Sequence, residues 1–188
     1  LNKKLEELYG SIIVVDVVKK GDRQILQLKL QMLNQKYVDE IDMFEEGLKV
    51  FSDIILHPLS ENGGFKKRIF DQEVDNLRDR IKGRINDKVK YAIDRCIEEM
   101  CKDQVFSVYE YGDLEELDRI TPVDLMNHYK KILSDSVIDI YVLGDVEASR
   151  TEMLVKEHLK FNRESIIKIK DENVLKKVDK AIKVEDNF

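Results

Sequence analysis

Several things are scarce in this sequence, and each scarcity closes off a class of function. There are only two cysteines, Cys96 and Cys101. Their spacing is neither that of a zinc ribbon nor that of a redox pair, so they read as reduced thiols of a cytosolic protein, with Cys96 in the core. Basic charge is in deficit, at a net charge of -6 and a pI of about 5.3. That excludes non-specific nucleic-acid binding, which needs a positive footprint. No apolar run approaches the length of a membrane span, and no signal-peptide pattern is visible. No glycine-rich phosphate loop is present, since Gly63-Gly64 alone marks only a loop.

Histidine is equally sparse. His57, His128 and His158 are the three, and none lies three or four residues from another. A zinc ion therefore cannot be held by a local histidine pair on one helix. His57 precedes Pro58 at a helix end, where a cation favours the helix dipole, and reads as a cap. His128 and His158 read as exposed. The acidic pairs Glu45-Glu46, Glu98-Glu99 and Glu115-Glu116 are adjacent in sequence. Neighbours on a helix diverge by about 100°, so these do not form acid–base dyads. Ser52, Ser107 and Ser136 have no nucleophile elbow around them, and Cys101 has no identifiable base. The residues alone offer no catalytic constellation.

What the sequence does contain is helical periodicity amid dense mixed charge. Charged residues make up 37% of the chain, and the apolar fraction is an ordinary 43%. The strongest pattern runs from Phe65 to Met100. Ile69, Phe70, Val74, Leu77, Ile81 and Ile85 recur at steps that share a helix side. After Asn86-Asp87 the pattern resumes as Val89, Ala92, Ile93, Cys96, Ile97 and Met100. Two helices with a break at the Asx pair are expected.

Upstream, residues 1–9 read as the end of a helix stopped by Gly10. Ser11–Lys19 and Gln24–Leu33 read as two strands of a hairpin, the second with Leu26, Leu28, Leu30 and Met32 on one face. Ile41–Leu56 is a helix ended before Pro58, and 60–64 a flexible loop. Downstream, 103–113 is an aromatic-rich segment flanked by acids, and 115–120 a short helical turn. Thr121-Pro122 caps and opens a helix with Leu125, Tyr129 and Ile132 inward. Val137–Leu143 reads as a buried strand and Glu147–Leu159 as a last helix. Ile166–Lys170 has the pattern of a short strand, and 171–188 that of a charged tail or linker. The expected class is α+β, with helices packed on one face of an antiparallel or mixed sheet.

The run Ile120–Leu159, with Thr121, Asp124, Leu125, Tyr129, Gly144 and Asp145, resembles the insulinase/pitrilysin family of zinc metallopeptidases. That family includes the mitochondrial processing peptidase. The order of the helix at Ile41–Leu56, Pro58, the helix opening at Phe65 and the stretch LNKKLEELYG agrees with it. The likeness covers about residues 1–159 and is nearest to bacterial members that lack the active site. It implies a processing-peptidase-like fold, N-terminally truncated: residues 1–160 as an incomplete peptidase domain, and 161–188 as a charged linker toward a second domain outside this sequence. The start at Leu1, in helical context and without a methionine, agrees with a fragment.

Active members of the family hold zinc through His-x-x-Glu-His on one helix and a distant glutamate on another, which follows a companion glutamate by seven residues. In this chain the resemblance sets Glu73 at the companion position and Arg80 at the ligand position. A guanidinium has no lone pair to give and stays charged. The resemblance therefore implies a non-catalytic, cytoplasmic peptidase-like domain with no cofactor. It would bind peptide or an unfolded segment, or pair with an active sibling subunit. Two alternatives stand: a fragment of an active zinc endopeptidase whose His-x-x-Glu-His helix lies outside this sequence, or an interaction domain that shares only the fold. An open sheet edge and uncovered apolar surface lead to the expectation that the fragment self-associates.

Overall fold

The computed structural model describes residues 2–163. The expected short strand at 166–170 and the charged tail lie outside that range. The chain divides into two compact units.

The first unit comprises residues 2–17, 26–66 and 122–163. Helix α1 (Asn2–Glu7) ends where Tyr9 and Gly10 both take positive φ, at 53° and 72°. The Gly10 N–H reaches back to the Leu5 carbonyl at 3.0 Å, the close of a left-handed helix terminus. Ser11 is buried there, and its hydroxyl donates to the Leu8 carbonyl at 2.7 Å. Strands β1 (Ile12–Lys20) and β2 (Arg23–Gln31) pair as the expected hairpin around Gly21, whose φ is +61°. Helix α2 (Met43–Leu56) opens on Asp42, whose carboxylate accepts from the Glu45 N–H at 3.1 Å. Its glycine, Gly47, admits the tips of Leu30 from β2 and of Met32 just beyond it. Helix α2 thus lies on the apolar face of the hairpin, as the alternation of β2 predicts.

Residues 60–64 are not a flexible loop. Ser60–Glu61 (β3) and Gly64–Phe65 (β4) form a small antiparallel hairpin. Asn62 and Gly63 make its turn at φ 50° and 81°, since Asn-Gly is the pair that most readily takes positive φ at both central positions. The sequence carried that signal, and a reading by loop composition misses it.

Two further helices of this unit, α6 (Pro122–Asp135) and α7 (Ala148–His158), complete its core. One cluster gathers Leu48 and Ile55 of α2 with Leu154 and Leu159, and Phe44, Phe51, Leu133 and Phe161 pack around it. A second gathers Leu8, Val38 and Met43, with Met32 and Val50 against them. In α6 the buried residue is Met126, at 3% exposure, while Leu125, expected inward, is 39% exposed. The adjacent residues sit about 100° apart on the helix, so a register one residue off turns the expected side away.

The segment 137–143 corrects a second expectation. Despite its β-branched sequence it is not a strand: it pairs with no strand among the described residues, and its side chains are largely exposed. Propensity makes a residue fit a sheet, but a strand exists only where a neighbour accepts its main-chain hydrogen bonds.

The second unit comprises Val18–Ile25 and Lys67–Thr121. Helices α3 (Lys67–Gly83) and α4 (Lys88–Met100) are separated by one 3₁₀ turn at Arg84–Asn86. Asp87 caps α4, accepting from the Lys90 N–H at 3.0 Å, which is the break the Asx pair predicts. Neither helix has a fully buried residue, and Cys96, expected in the core, is exposed. A short α5 (Leu114–Leu117) is capped by Asp113 and supplies Leu117, the buried apolar side chain among the described residues of this unit. No described helix is long and apolar enough to cross a membrane.

Candidate functional site

Helix α3 carries the two residues singled out above. Glu73 and Arg80 are seven residues apart, about two turns, and so share a side of the helix. Glu73 is exposed, and Asn76 Nδ2 donates to its Oε2 at 3.3 Å. Arg80 lays its guanidinium over the Tyr111 ring, 5.0 Å from the centroid. Asp79 is exposed.

One turn further on, Arg84 forms the centre of a larger constellation that spacing alone does not reveal. Its side chain is only 13% exposed. Nε lies 3.3 Å from Asp94 Oδ2 and Nη2 2.7 Å from Glu98 Oε1. Asp94 and Glu98 stand one turn apart on α4, so both carboxylates face the same cation. The guanidinium is also 4.1 Å from the Tyr109 centroid and 5.3 Å from that of Tyr91. Tyr109 and Tyr111 meet edge to face at 5.6 Å. Two arginines one turn apart therefore each lie over a tyrosine of the 103–113 segment. The aromatics of that segment thus pack against cations of their own chain.

The surrounding charges are committed as well. Arg95 binds Glu98 at 2.8 Å and Glu99 at 3.1 Å. Lys90 binds Glu110 at 3.1 Å, and that hydrogen bond holds the Lys90 ammonium above its usual range. Burial pushes the Tyr109 hydroxyl up. The tip of the β1–β2 hairpin joins the same segment: Lys19 Nζ donates to the Phe106 carbonyl at 2.6 Å and to that of Val108, and Gln24 Nε2 donates to Glu110 at 2.8 Å. An open groove of about 830 Å³ runs beside Arg84, walled by Ile81, Ile85, Tyr91, Tyr109 and Leu114.

Chemically, this arrangement can cradle an extended segment but cannot activate water. Its cations stay protonated at any physiological pH, and its carboxylates are engaged by arginine or lysine. A zinc site takes several nitrogen, sulfur or oxygen donors. The face bearing Glu73 and Arg80 offers one carboxylate beside a permanent cation, so its donor chemistry does not fit the metal. Among the described residues no group of three His, Cys, Asp or Glu side chains comes together.

The three histidines, all in the first unit, stay apart. His57 closes α2 with Nδ1 3.3 Å from Asp53 Oδ1, consistent with a capping role. His128 is exposed on α6. His158, expected exposed, is half-buried at the end of α7, because that helix packs along α2. The Glu45 carboxyl of α2 is held below the usual range chiefly by its hydrogen bond from Lys49, with a smaller pull from His158.

No family model matches this chain. It is similar to the "Probable inactive metalloprotease YmfF" of Bacillus subtilis (strain 168), at 29% identity over 179 residues, which is 95% of this chain and 42% of that protein. It is also similar to a conserved protein of Enterococcus faecalis V583 known from a crystal structure, with a TM-score of 0.82 and 27% identity, over 87% of this chain and 39% of that one. The chain thus spans about two fifths of the length of each. By sequence, then, it is similar to a protein described as an inactive metalloprotease, and its own geometry supplies no metal ligand set on α3.

Proposed function

We propose that this chain is a non-catalytic domain of the insulinase/pitrilysin type, built like the mitochondrial processing peptidase, and that it works by binding rather than by hydrolysis. The observation that carries the reading is Arg80. It occupies the position at which the resemblance expects the distal zinc-binding glutamate, and its guanidinium is stacked on Tyr111. Similarity to a protein described as an inactive metalloprotease supports the same reading. The domain takes a peptide or unfolded protein segment, or braces an active sibling subunit, in the cytoplasm and without a cofactor.

The test is metal binding followed by turnover. The purified chain, titrated with zinc by calorimetry, is expected to take up no stoichiometric metal, and an unfolded protein substrate is expected to stay intact beside it. Arg80→Glu is expected to leave both results unchanged, because one added carboxylate does not complete a ligand set. Stoichiometric, chelator-sensitive zinc in the wild-type chain that is lost on substitution of Glu73 would overturn the reading.

A further inference from the structure

We propose that Lys19 and Gln24, on the two strands beside the β1–β2 turn, are a latch: they order residues 105–111 through the carbonyls of that segment and so position Tyr109 against Arg84. The latch and the segment both lie in the second unit, and their pairing does not depend on the peptidase-like reading.

The segment supplies only turns of its own. One 3₁₀ turn, Val105–Ser107, is followed by an extended Val108. Among the described residues its main-chain hydrogen bonds are turn closures, as from the Val108 N–H to the Val105 carbonyl at 3.2 Å and from the Gly112 N–H to the Tyr109 carbonyl at 3.0 Å. Such bonds shape a turn locally and leave its place in the unit open. The carbonyls of Phe106, Val108 and Glu110 need donors from elsewhere, since a main-chain acceptor withdrawn from water without a partner is costly.

The hairpin tip provides those donors. The half-buried Lys19 gives its ammonium to the Phe106 carbonyl at 2.6 Å and to that of Val108, and the same ammonium stands 5.1 Å from the centroid of the Phe106 ring. Gln24 Nε2 serves the Glu110 carbonyl at 2.8 Å. Three carbonyls at alternate positions thus turn toward one tip. The two from Lys19 are charge-assisted bonds, about twice as strong as neutral ones. Each donor already holds its acceptor, so the latch needs no free surface.

The side chains of the same stretch reach the other way. The Tyr109 ring lies against Arg84, the Tyr111 ring against Arg80, and the Glu110 carboxylate binds Lys90. Lys19 and Gln24 touch none of these cations: their hydrogen bonds end on residues 106–110. The tip therefore acts on Arg84 only through the segment, main chain on one side and aromatic ring on the other. Freeing the carbonyls loosens the ring, and a loosened ring uncovers a guanidinium that is now 13% exposed. Lys19 is in this sense a positioning residue for the Arg84 constellation.

Hydrogen exchange of the whole chain, read residue by residue by nuclear magnetic resonance, tests the latch. Lys19→Met keeps the aliphatic stem and removes the donors. The Val108 and Gly112 amides are then expected to exchange roughly tenfold faster, the scale set by a lost charge-assisted bond. The Arg84 Nε–H, which Lys19 does not touch, should quicken with them, while amides of α2 and α7 keep their wild-type rates. Lys19→Arg, which can still donate to both carbonyls, should restore most of the protection. Unchanged rates at Val108 and Gly112 overturn the proposal, as does an Arg84 Nε–H that keeps its rate. So does an acceleration shared equally by α2 and α7, or a Lys19→Arg protein no better protected than Lys19→Met. If Lys19→Met does not fold, Gln24→Ala decides. It removes one neutral bond and should speed the Gly112 amide by roughly fivefold; an unchanged rate there overturns the latch.

Discussion

Gly64→Ala is expected to destabilise the first unit in a way that can be worked out from contact distances. Gly64 is buried in β4, and a Cβ placed there would lie 2.7 Å from the Pro122 carbonyl carbon, 2.8 Å from the Val123 nitrogen and 2.9 Å from the Pro122 oxygen. Comfortable carbon contacts are about 3.5–4.0 Å. All three obstacles are main chain, so the first turn of α6 must move bodily. That turn leads to buried Met126 and to Tyr129, whose hydroxyl donates to the Ile55 carbonyl at 2.7 Å. Overpacking of this kind costs about 1–3 kcal/mol. The lower entropy of the unfolded alanine chain returns about 0.4–1 kcal/mol. The net loss is about 1–2 kcal/mol, and at roughly 2–4 °C per kcal/mol for a chain of this size, Tm should fall by about 2–8 °C. Gly47→Ala is the control. Its Cβ would meet Met32 Cε at 2.6 Å, an equally close approach, but to the end of a flexible side chain. Met32 can rotate away, and an alanine inside α2 gains about 1 kcal/mol of helix propensity. That variant should melt at or slightly above the wild-type temperature. Thermal unfolding followed by circular dichroism decides the matter. A Gly64→Ala protein as stable as wild type, or a larger loss from Gly47→Ala, refutes the reasoning.

Tyr129→Phe should cost about 1 kcal/mol, because a carbonyl in the last turn of α2 loses its donor, and urea midpoints will read it. Burial raises the Tyr129 pKa, so its contribution is complete below the ordinary phenol value of about 10 and disappears as pH rises through the folded value; the gap between wild type and variant should narrow in alkali. Arg84→Ala should cost about 2–3 kcal/mol, since it takes the shared cation from Asp94 and leaves Glu98 with Arg95 alone, and Arg84→Lys should recover only part, lacking the planar stack on Tyr109. Glu147 accepts from the Arg150 and Ser149 N–H groups at the start of α7, and these bonds hold its carboxyl below the usual range. Its cap therefore acts above the ordinary carboxylate pKa and is lost as pH falls through the depressed value, so Glu147→Ala should flatten the acid limb of the stability profile.

Some local signals in the sequence foretold the elements. Alternation placed β2, and the Asn86-Asp87 pair marked the break at which Asp87 caps α4, whereas the caps at Asp42 and Asp113 emerge only in the structure. Gly10 ends α1 because positive φ is cheap for glycine. What stayed illegible depends on neighbours distant in sequence. Whether 137–143 becomes a strand depends on a partner, and no property of those seven residues reports one. The Arg84 constellation joins a 3₁₀ turn, one face of α4 and the loop at Tyr109, so no spacing rule could assemble it. One signal was available in retrospect: Arg80 and Arg84 at helical spacing, and Tyr109 and Tyr111 at alternate positions, form two matched pairs.

The contrast between the units extends to how each meets dissolved ions. Buried apolar side chains accumulate in the first, whereas the second relies on arginine, lysine and carboxylate partners around Tyr91, Tyr109 and Tyr111, with Leu117 alone among its described apolar residues withdrawn from water. Mobile counterions weaken exposed Coulombic attraction and leave apolar burial intact or reinforced. Amide protons of α3 and α4 should therefore trade for deuterium sooner as sodium chloride is added, while those of α2 and α7 keep their pace. Ionic strength would then act on this chain as a dial for one half of it.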